Sequence, residues 1–224
     1  MLREKVVSEM RYFMLGEKTL VLESSPPISL SVQQRIWGLA QKLIDEPSIA
    51  DIVPGMNNIT IHLQAIPASR SQALDCLRRW WQEAESFQPL SRQVDIPVCY
   101  GGAAGPDLDA LAEQVGLTPK QVVEQHSAQT YTVFFIGFQP GFPYLFGLPP
   151  TLACPRHKVP RSAVPAGSVG IAGNQTGIYP LSSPGGWQII GQTSTQLFNE
   201  QREHPFLLRP GDSVRFIPDK EGLC

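Results

Sequence analysis

The sequence predicts an α+β chain in two parts, a small α+β unit over residues 1–91 and a barrel-forming unit over 92–224. Three observations predict this. Strand and helix periodicities alternate through the first part, whereas short strands with glycine corners crowd the end of the second. The chain has 224 residues, 42% of them hydrophobic and 17% charged, which is ample apolar material for folded cores. The stretch Phe138–Gly191 carries nine Gly and nine Pro in 54 residues, a density usual in disordered chains. Yet Phe138, Phe142, Tyr144, Val169, Ile171, Tyr179, Trp187 and Ile189 are interleaved through it, so it reads as a chain held in fixed turns around a core.

In the first unit, Tyr12–Leu15 and Thr19–Leu22 flank Gly16-Glu17-Lys18 and predict a hairpin. Val32, Ile36, Leu39, Ala40 and Leu43 fall on one helical face behind a Ser29 or Ser31 cap. Ile49–Val53 and Asn58–Leu63 read as strands around a turn-rich tetrad. A second helix follows, with Ser69 and Gln72 as a capping box and Leu74, Leu77, Trp81 and Ala84 as its stripe. With a strand at Gln93–Cys99, the order resembles a split βαβ, ferredoxin-like unit. Trp80, Trp81 and His62 read as structural, and this half shows no catalytic constellation.

The second unit opens on three motifs that suggest chemistry and do not carry it. Gly101–Gly105 precedes a helix but has neither the spacing nor the Lys of a phosphate loop, and Asp107 at the helix start would repel an anion. Residues 111–123 have the rhythm of a helix-turn-helix, with Gly116 in the turn and Thr118, Pro119 and Gln121 opening the second helix. Lys120 is its lone cation against four acids across 106–127, which excludes DNA reading on electrostatic grounds. Ala166-Gly167-Ser168-Val169-Gly170 approaches a nucleophile elbow, but no acid follows until Glu200 to orient a base.

Tyr131–Phe138 reads as a buried strand leading into an aromatic, proline-stiffened loop through Tyr144. Pro155–Arg161 brackets three cations, Arg156, Lys158 and Arg161, between prolines. Stiff flanks lower the entropy cost of presenting Arg to a carboxylate or phosphate, although both Arg would also suit capping local carbonyls. Strands at 167–173, 185–191, Thr193–Phe198 and Ser213–Ile217 predict a small closed or nearly closed barrel. Gln139, Gln175 and Tyr179 are polar groups in apolar turns that either satisfy backbone or face a ligand. From Gln125 to Asn199 there is no Asp or Glu, so this surface suits a small anion better than self-contained acid–base chemistry.

The totals exclude several classes. Net charge is −2, with no polyanion partner implied, and no apolar run approaches the roughly 20 residues of a membrane span. The N-terminal residues lack the apolar core of an export leader, so a cytoplasmic protein is expected. Cys76, Cys99, Cys154 and Cys224 are scattered and read as reduced thiols; with the four His equally dispersed, no metal site is expected.

G-F-Q-P-G-F-P-Y-L at Gly137–Leu145, P-R at Pro155–Arg156 and the run Val164–Pro180 resemble one family. S-P-G-G-W-Q-I-I-G at Ser183–Gly191, P-G-D-S-V-R-F at Pro210–Phe216, Pro54–Asn58 and the Trp80-Trp81 helix extend the match over nearly the whole chain. The family groups bacterial sensor-kinase inhibitor proteins with allophanate hydrolase subunit 1, and the resemblance is nearest to its branch of 5-oxoprolinase B subunits. The chain departs from the pattern at Phe146, where Gly is usual. The resemblance implies an N-terminal α/β domain followed by a cyclophilin-like β-barrel, which pairs with a homologous barrel protein, the C component. With a third protein, the A component, such a complex opens 5-oxoproline (pyroglutamate) to glutamate with ATP hydrolysis, and this chain would be inactive alone. A kinase-regulatory protein and a carboxyltransferase-like component are the alternatives. The latter takes biotin from a partner, because this chain has no biotin-attachment Met-Lys.

The expected site follows from both readings. Arg156 and Arg161 clamp an anion, Gln139, Tyr144, Gln175 and Tyr179 line the site, and His126 is the candidate for proton transfer. Gly141, Pro143, Pro165, Gly167, Gly170, Gly185, Gly186 and Trp187 shape the loops.

Overall fold

The computed structural model describes residues 9–219; the N-terminal residues read for a leader, and Cys224, lie outside the described residues. The chain forms two compact units that divide between Gln88 and Pro89.

In the first unit, β1 (Met10–Leu15) and β2 (Thr19–Ser24) form the expected hairpin, turning at Gly16 with φ 62°. Helix α1 (Leu30–Leu43) starts where the Ser29 hydroxyl accepts the Val32 amide at 3.2 Å. β3 (Ile49–Pro54), β4 (Asn58–Leu63) and α2 (Arg70–Glu83) follow, the last capped by Ser69. The sheet order is β1-β2-β4-β3, antiparallel at every step. Ile36, Leu39 and Leu43 of α1 and Leu77 and Trp81 of α2 share one core with Ile59 and Ile61 of β4. Arg35 stacks over Trp81 at 4.2 Å, and His62 bonds Thr19 at 3.1 Å; neither Trp81 nor His62 is held ready for chemistry.

β2, α1 and β3 form a split βαβ around β4, but the ferredoxin-like unit expected from the sequence does not form from the expected elements. The strand after α2 joins the barrel, and β1 takes the sheet edge beside β2. The hairpin turn makes β1 a local partner for β2, available at far smaller closure cost than a strand roughly 70 residues later.

The second unit is a closed barrel in the order β10-β7-β6-β13-β5-β12-β9. Its elements are β5 (Gln93–Tyr100), α3 (Leu108–Val115), α4 (Pro119–Ser127), β6 (Tyr131–Ile136), β7 (Pro143–Phe146) and β8 (Arg161–Val164). β9 (Ser168–Ala172), β10 (Gln175–Ile178), β11 (Ser183–Gly185), β12 (Gln188–Gln192) and β13 (Ser213–Pro218) complete it. β13 runs parallel to β5, and β8 and β11 pair outside the barrel. The strand expected at Thr193–Phe198 is absent; only an isolated bridge joins Phe198 to Phe206. Phe146 sits at the end of β7 and stacks on Phe134 at 4.4 Å, so the departure from the family pattern lies in a regular strand.

The helix-turn-helix rhythm is real, but it serves the core. Gly116 closes α3 in the left-handed region at φ 71°, and Thr118 and Gln121 form the full capping box of α4. Leu108, Leu111, Val122 and Val123 then pack against the barrel strands. Cys76 and Cys154 are free thiols, as expected.

Asp212, 1% exposed, anchors the entry to β13. It accepts from the Arg92 guanidinium at 2.6 Å and from the Arg92 and Arg209 amides at 3.2 and 3.0 Å. Asp212→Ala strands these donors and is expected to cost about 3 kcal/mol, read as a lower urea midpoint with an unchanged slope. An unchanged midpoint would contradict the anchor.

Candidate active site

The aromatic loop, the cationic segment and the glycine corners meet at a pocket of about 280 Å³. The β6–β7 loop supplies Phe138 and Phe142, β7 supplies Tyr144, and the residue after β10 is Tyr179. The end of β11 supplies Gly185 and the β11–β12 turn Gly186 and Trp187, and Arg156 and Pro160 come from the segment before β8. Phe142 stands edge-on to Tyr179 at 5.2 Å and to Trp187 at 5.4 Å, and Tyr144 meets Trp187 at 5.9 Å. Phe135 backs Tyr144 in a parallel stack at 4.2 Å, which fixes the tyrosine plane. Phe138 holds the left-handed region at φ 67° and is 62% exposed at the rim. The turn holds it there, with the Gln139 amide donating to the Gly137 carbonyl at 2.7 Å across Phe138.

Two glycines are needed where they stand. A Cβ on Gly185 would lie 2.3 Å from the Tyr179 hydroxyl, and one on Gly167 would lie 2.1 Å from the Thr193 carbonyl oxygen. Gly141 lies in the β6–β7 loop, Pro143 opens β7, Pro165 lies in the β8–β9 turn and Gly170 in β9; none of them lines the pocket.

The pocket carries one cation. The Arg156 guanidinium lies 5.8 Å from the Trp187 ring centre and, among the described residues, makes no ion pair. Burial pushes the Tyr144 and Tyr179 phenols up, against a downward pull from Arg156 on both, so each keeps its proton and can donate it in a hydrogen bond.

The other expected residues go elsewhere. Arg161 is not an open clamp: its guanidinium bonds Asp107 Oδ1 at 2.5 Å and approaches the Trp187 carbonyl at 3.5 Å. Gln139 donates to the Leu181 carbonyl at 3.3 Å and braces the loop. Gln175 starts β10 opposite Ala172, away from the pocket lining. His126 is fully buried in the barrel, stacked on Phe216 at 4.6 Å, and burial lowers its pKa to about 3. Thr176 donates to the Gly170 carbonyl at 2.9 Å, so His126 Nε2 donates to Thr176 at 2.9 Å and Nδ1 accepts from Tyr100 at 2.8 Å. This closed chain of bonds makes His126 a core brace, and its sealed position does not suit the proton transfer expected of it.

Asp107 is the residue that sequence reasoning missed. The Phe138–Gly191 stretch has no acid of its own, so the partner of Arg161 arrives from the start of α3. Asp107 makes no cap bond to its own helix; it accepts from Arg161 and from the Ile189 amide at 2.6 Å. Burial pushes its carboxyl up, but Arg161, the Ile189 amide and His157 outweigh that and hold it below the ordinary value. The available signal was an arginine fixed in an acid-free stretch, which requires a counter-charge from outside it.

A larger cleft of about 940 Å³ runs along Ala166, Gly167, Gln192–Gln196 and Phe198. Its lining is as apolar as it is polar, with Pro97, Pro180, Leu181 and Phe198 beside Gln192–Gln196 and Asp219, and it holds none of the expected anion-binding residues. No group of His, Cys, Asp and Glu among the described residues could hold a metal ion, and no described helix is long and apolar enough to cross a membrane.

Residues 10–208 match the family described as carboxyltransferase domain, subdomain C and D. The chain is 56% identical over 214 residues to an Escherichia coli protein named as the B subunit of 5-oxoprolinase, covering 96% of this chain and 98% of that one. Proteins of the same name from Haemophilus influenzae and Bacillus subtilis are 44% and 38% identical, with 90% or more of each chain covered. A solved chain, TTHA0988, superposes with a TM-score of 0.74 at 35% identity; the match covers 95% of this chain and 40% of that longer one. The Kluyveromyces lactis urea amidolyase shares the fold, with a TM-score of 0.82 at 20% identity over 98% of this chain and 15% of its own. The chain belongs to the carboxyltransferase-domain subdomain C and D family, in the branch of the 5-oxoprolinase B subunits.

Proposed function

We propose that this chain is the B subunit of an ATP-dependent 5-oxoprolinase, the complex that opens 5-oxoproline to glutamate. The observation that carries this is near end-to-end identity of 38–56% to three proteins named as 5-oxoprolinase B subunits. The urea-pathway relatives match at 24–29% over two thirds of the chain or less, which does not favour that reading.

The pocket supports the assignment chemically. Arg156 suits the carboxylate of 5-oxoproline, and the Phe142, Tyr179 and Trp187 rings suit its small flat lactam. The site is shared with a homologous barrel protein, the C component, and the A component completes an enzyme that uses ATP in the cytoplasm; this chain alone is inactive. The recurrence of the fold as 40% of one solved chain and 15% of another supports a unit that works joined to further domains. ATP is used by the complex, and this chain brings neither metal nor biotin.

Reconstitution tests the assignment. The purified A and C components are expected to show 5-oxoproline-stimulated ATP hydrolysis only after this chain is added. Full stimulation without it would overturn the assignment.

A further inference from the structure

The pocket as described carries one cation, Arg156, but neither a carboxylate nor a histidine to move a proton, since His126 is sealed in the core. A second histidine lies beside it. The His157 amide donates to the carbonyl of Gly186, a pocket-lining residue, at 2.7 Å, and His157 directly follows Arg156. Its Nε2 is buried, 3.3 Å from Asp107 Oδ2, without a well-directed hydrogen bond. The side chain as a whole is 31% exposed, so the accessible part of the ring lies away from Nε2. Asp107 is held in place by Arg161 and the Ile189 amide and stays ionised. A fixed carboxylate behind one ring nitrogen selects the tautomer with a proton there and leaves the other nitrogen free to accept one.

We propose that His157, oriented by Asp107, is the general base and acid of the ring-opening step, a role that rests on the 5-oxoprolinase reading above. The lactam oxygen first takes the terminal phosphoryl group of ATP, and ADP leaves. Water then adds its oxygen to the lactam carbon, and His157 Nδ1 takes the water proton. As the carbon–nitrogen bond breaks, the imidazolium returns that proton to the departing ring nitrogen and ends neutral, as it began. A second water cleaves the resulting acyl phosphate to the carboxylate and free phosphate. Arg161 is a positioning residue in this scheme, because it acts through Asp107. The charged group at the ring is Asp107 from the start of α3, itself paired with Arg161 from β8, and Arg156 and Lys158 flank His157 in the chain.

The test uses the assembled three-protein complex. His157→Gln is expected to lower kcat about 100-fold with KM changed far less, the usual scale for loss of a general base. Its acidic limb in the pH–rate profile is expected to disappear, and added imidazole to restore part of the rate to His157→Ala. Activity within about threefold of wild type, with an unshifted profile, would overturn the role. An inactive wild-type complex would instead count against the 5-oxoprolinase reading. The dyad is then judged on the full chain alone, by nitrogen-15 NMR of the His157 ring, which is expected to carry its proton on Nε2, facing Asp107. Asp107→Asn is expected to move the proton toward Nδ1, and Arg161→Lys, a milder change, to move it less. A tautomer indifferent to both would overturn the dyad.

Discussion

Arg156→Ala is expected to raise KM for 5-oxoproline about 10- to 100-fold in the assembled complex while leaving kcat nearly unchanged, the scale of one lost charge-assisted hydrogen bond. The direction follows from the chemistry. The substrate carboxylate does not react when the lactam opens, so a cation that holds it binds ground state and transition state alike. Arg156 is free for this task because it leans on the Trp187 ring and makes no ion pair among the described residues. Arg156→Lys keeps the charge but loses the planar fork and the stacking, so an intermediate KM is expected. Arg161→Ala behaves differently, since it strips Asp107 of its partner and is expected to lower stability and kcat. An unchanged KM for Arg156→Ala, with the complex intact, would place the anion elsewhere.

Acid is expected to unfold this chain early, through His126. The folded barrel keeps the ring neutral down to about pH 3 because burial disfavours its charge, whereas the unfolded chain takes up the proton near 6.5. Between those values the unfolded state binds more protons. The stability that depends on the neutral ring is therefore complete above about 6.5 and falls by about 1.4 kcal/mol for each pH unit below it. Asp107 adds to the loss only lower, as pH falls through the carboxylate range, because its own value is depressed. Urea midpoints at pH 7, 6 and 5 test this. His126→Phe retains the stack on Phe216 and is expected to be less stable at pH 7, with Tyr100 and Thr176 left short of partners. It is also expected to show a much flatter decline. An equal decline in the variant would assign the acid sensitivity to other groups.

Much of this architecture is legible locally. Ser29, Ser69 and the Thr118–Gln121 box mark three helix starts within a residue, because caps act over a few positions. The short apolar runs Tyr12–Leu15 and Thr19–Leu22 around Gly16-Glu17-Lys18 mark the first hairpin, and the Pro- and Gly-rich loops around Tyr144 and Trp187 mark the pocket walls. What sequence hides is pairing across distance. Nothing local to Gln93–Tyr100 says that it prefers β13 and β12 to the first sheet. Asp107 reads as a helix cap until Arg161, 54 residues later, is folded onto it. The His126 reading failed for a related reason: a histidine four residues after Val122 shares the apolar face of α4, and that face enters the barrel. Neutral extended segments such as Thr193–Phe198 carry strand-like composition but line a cleft without a ladder partner.

On the proposed reading this chain is half of an active site: a cation, aromatic walls and one oriented histidine, completed by a second protein. Equilibrium binding of labelled 5-oxoproline to this chain alone, to the C component alone and to the two together tests that most directly. Strong binding is expected only by the pair, with Trp187 emission, read against Trp187→Phe, changing as the site fills. Binding of full affinity to either chain by itself would overturn the shared site.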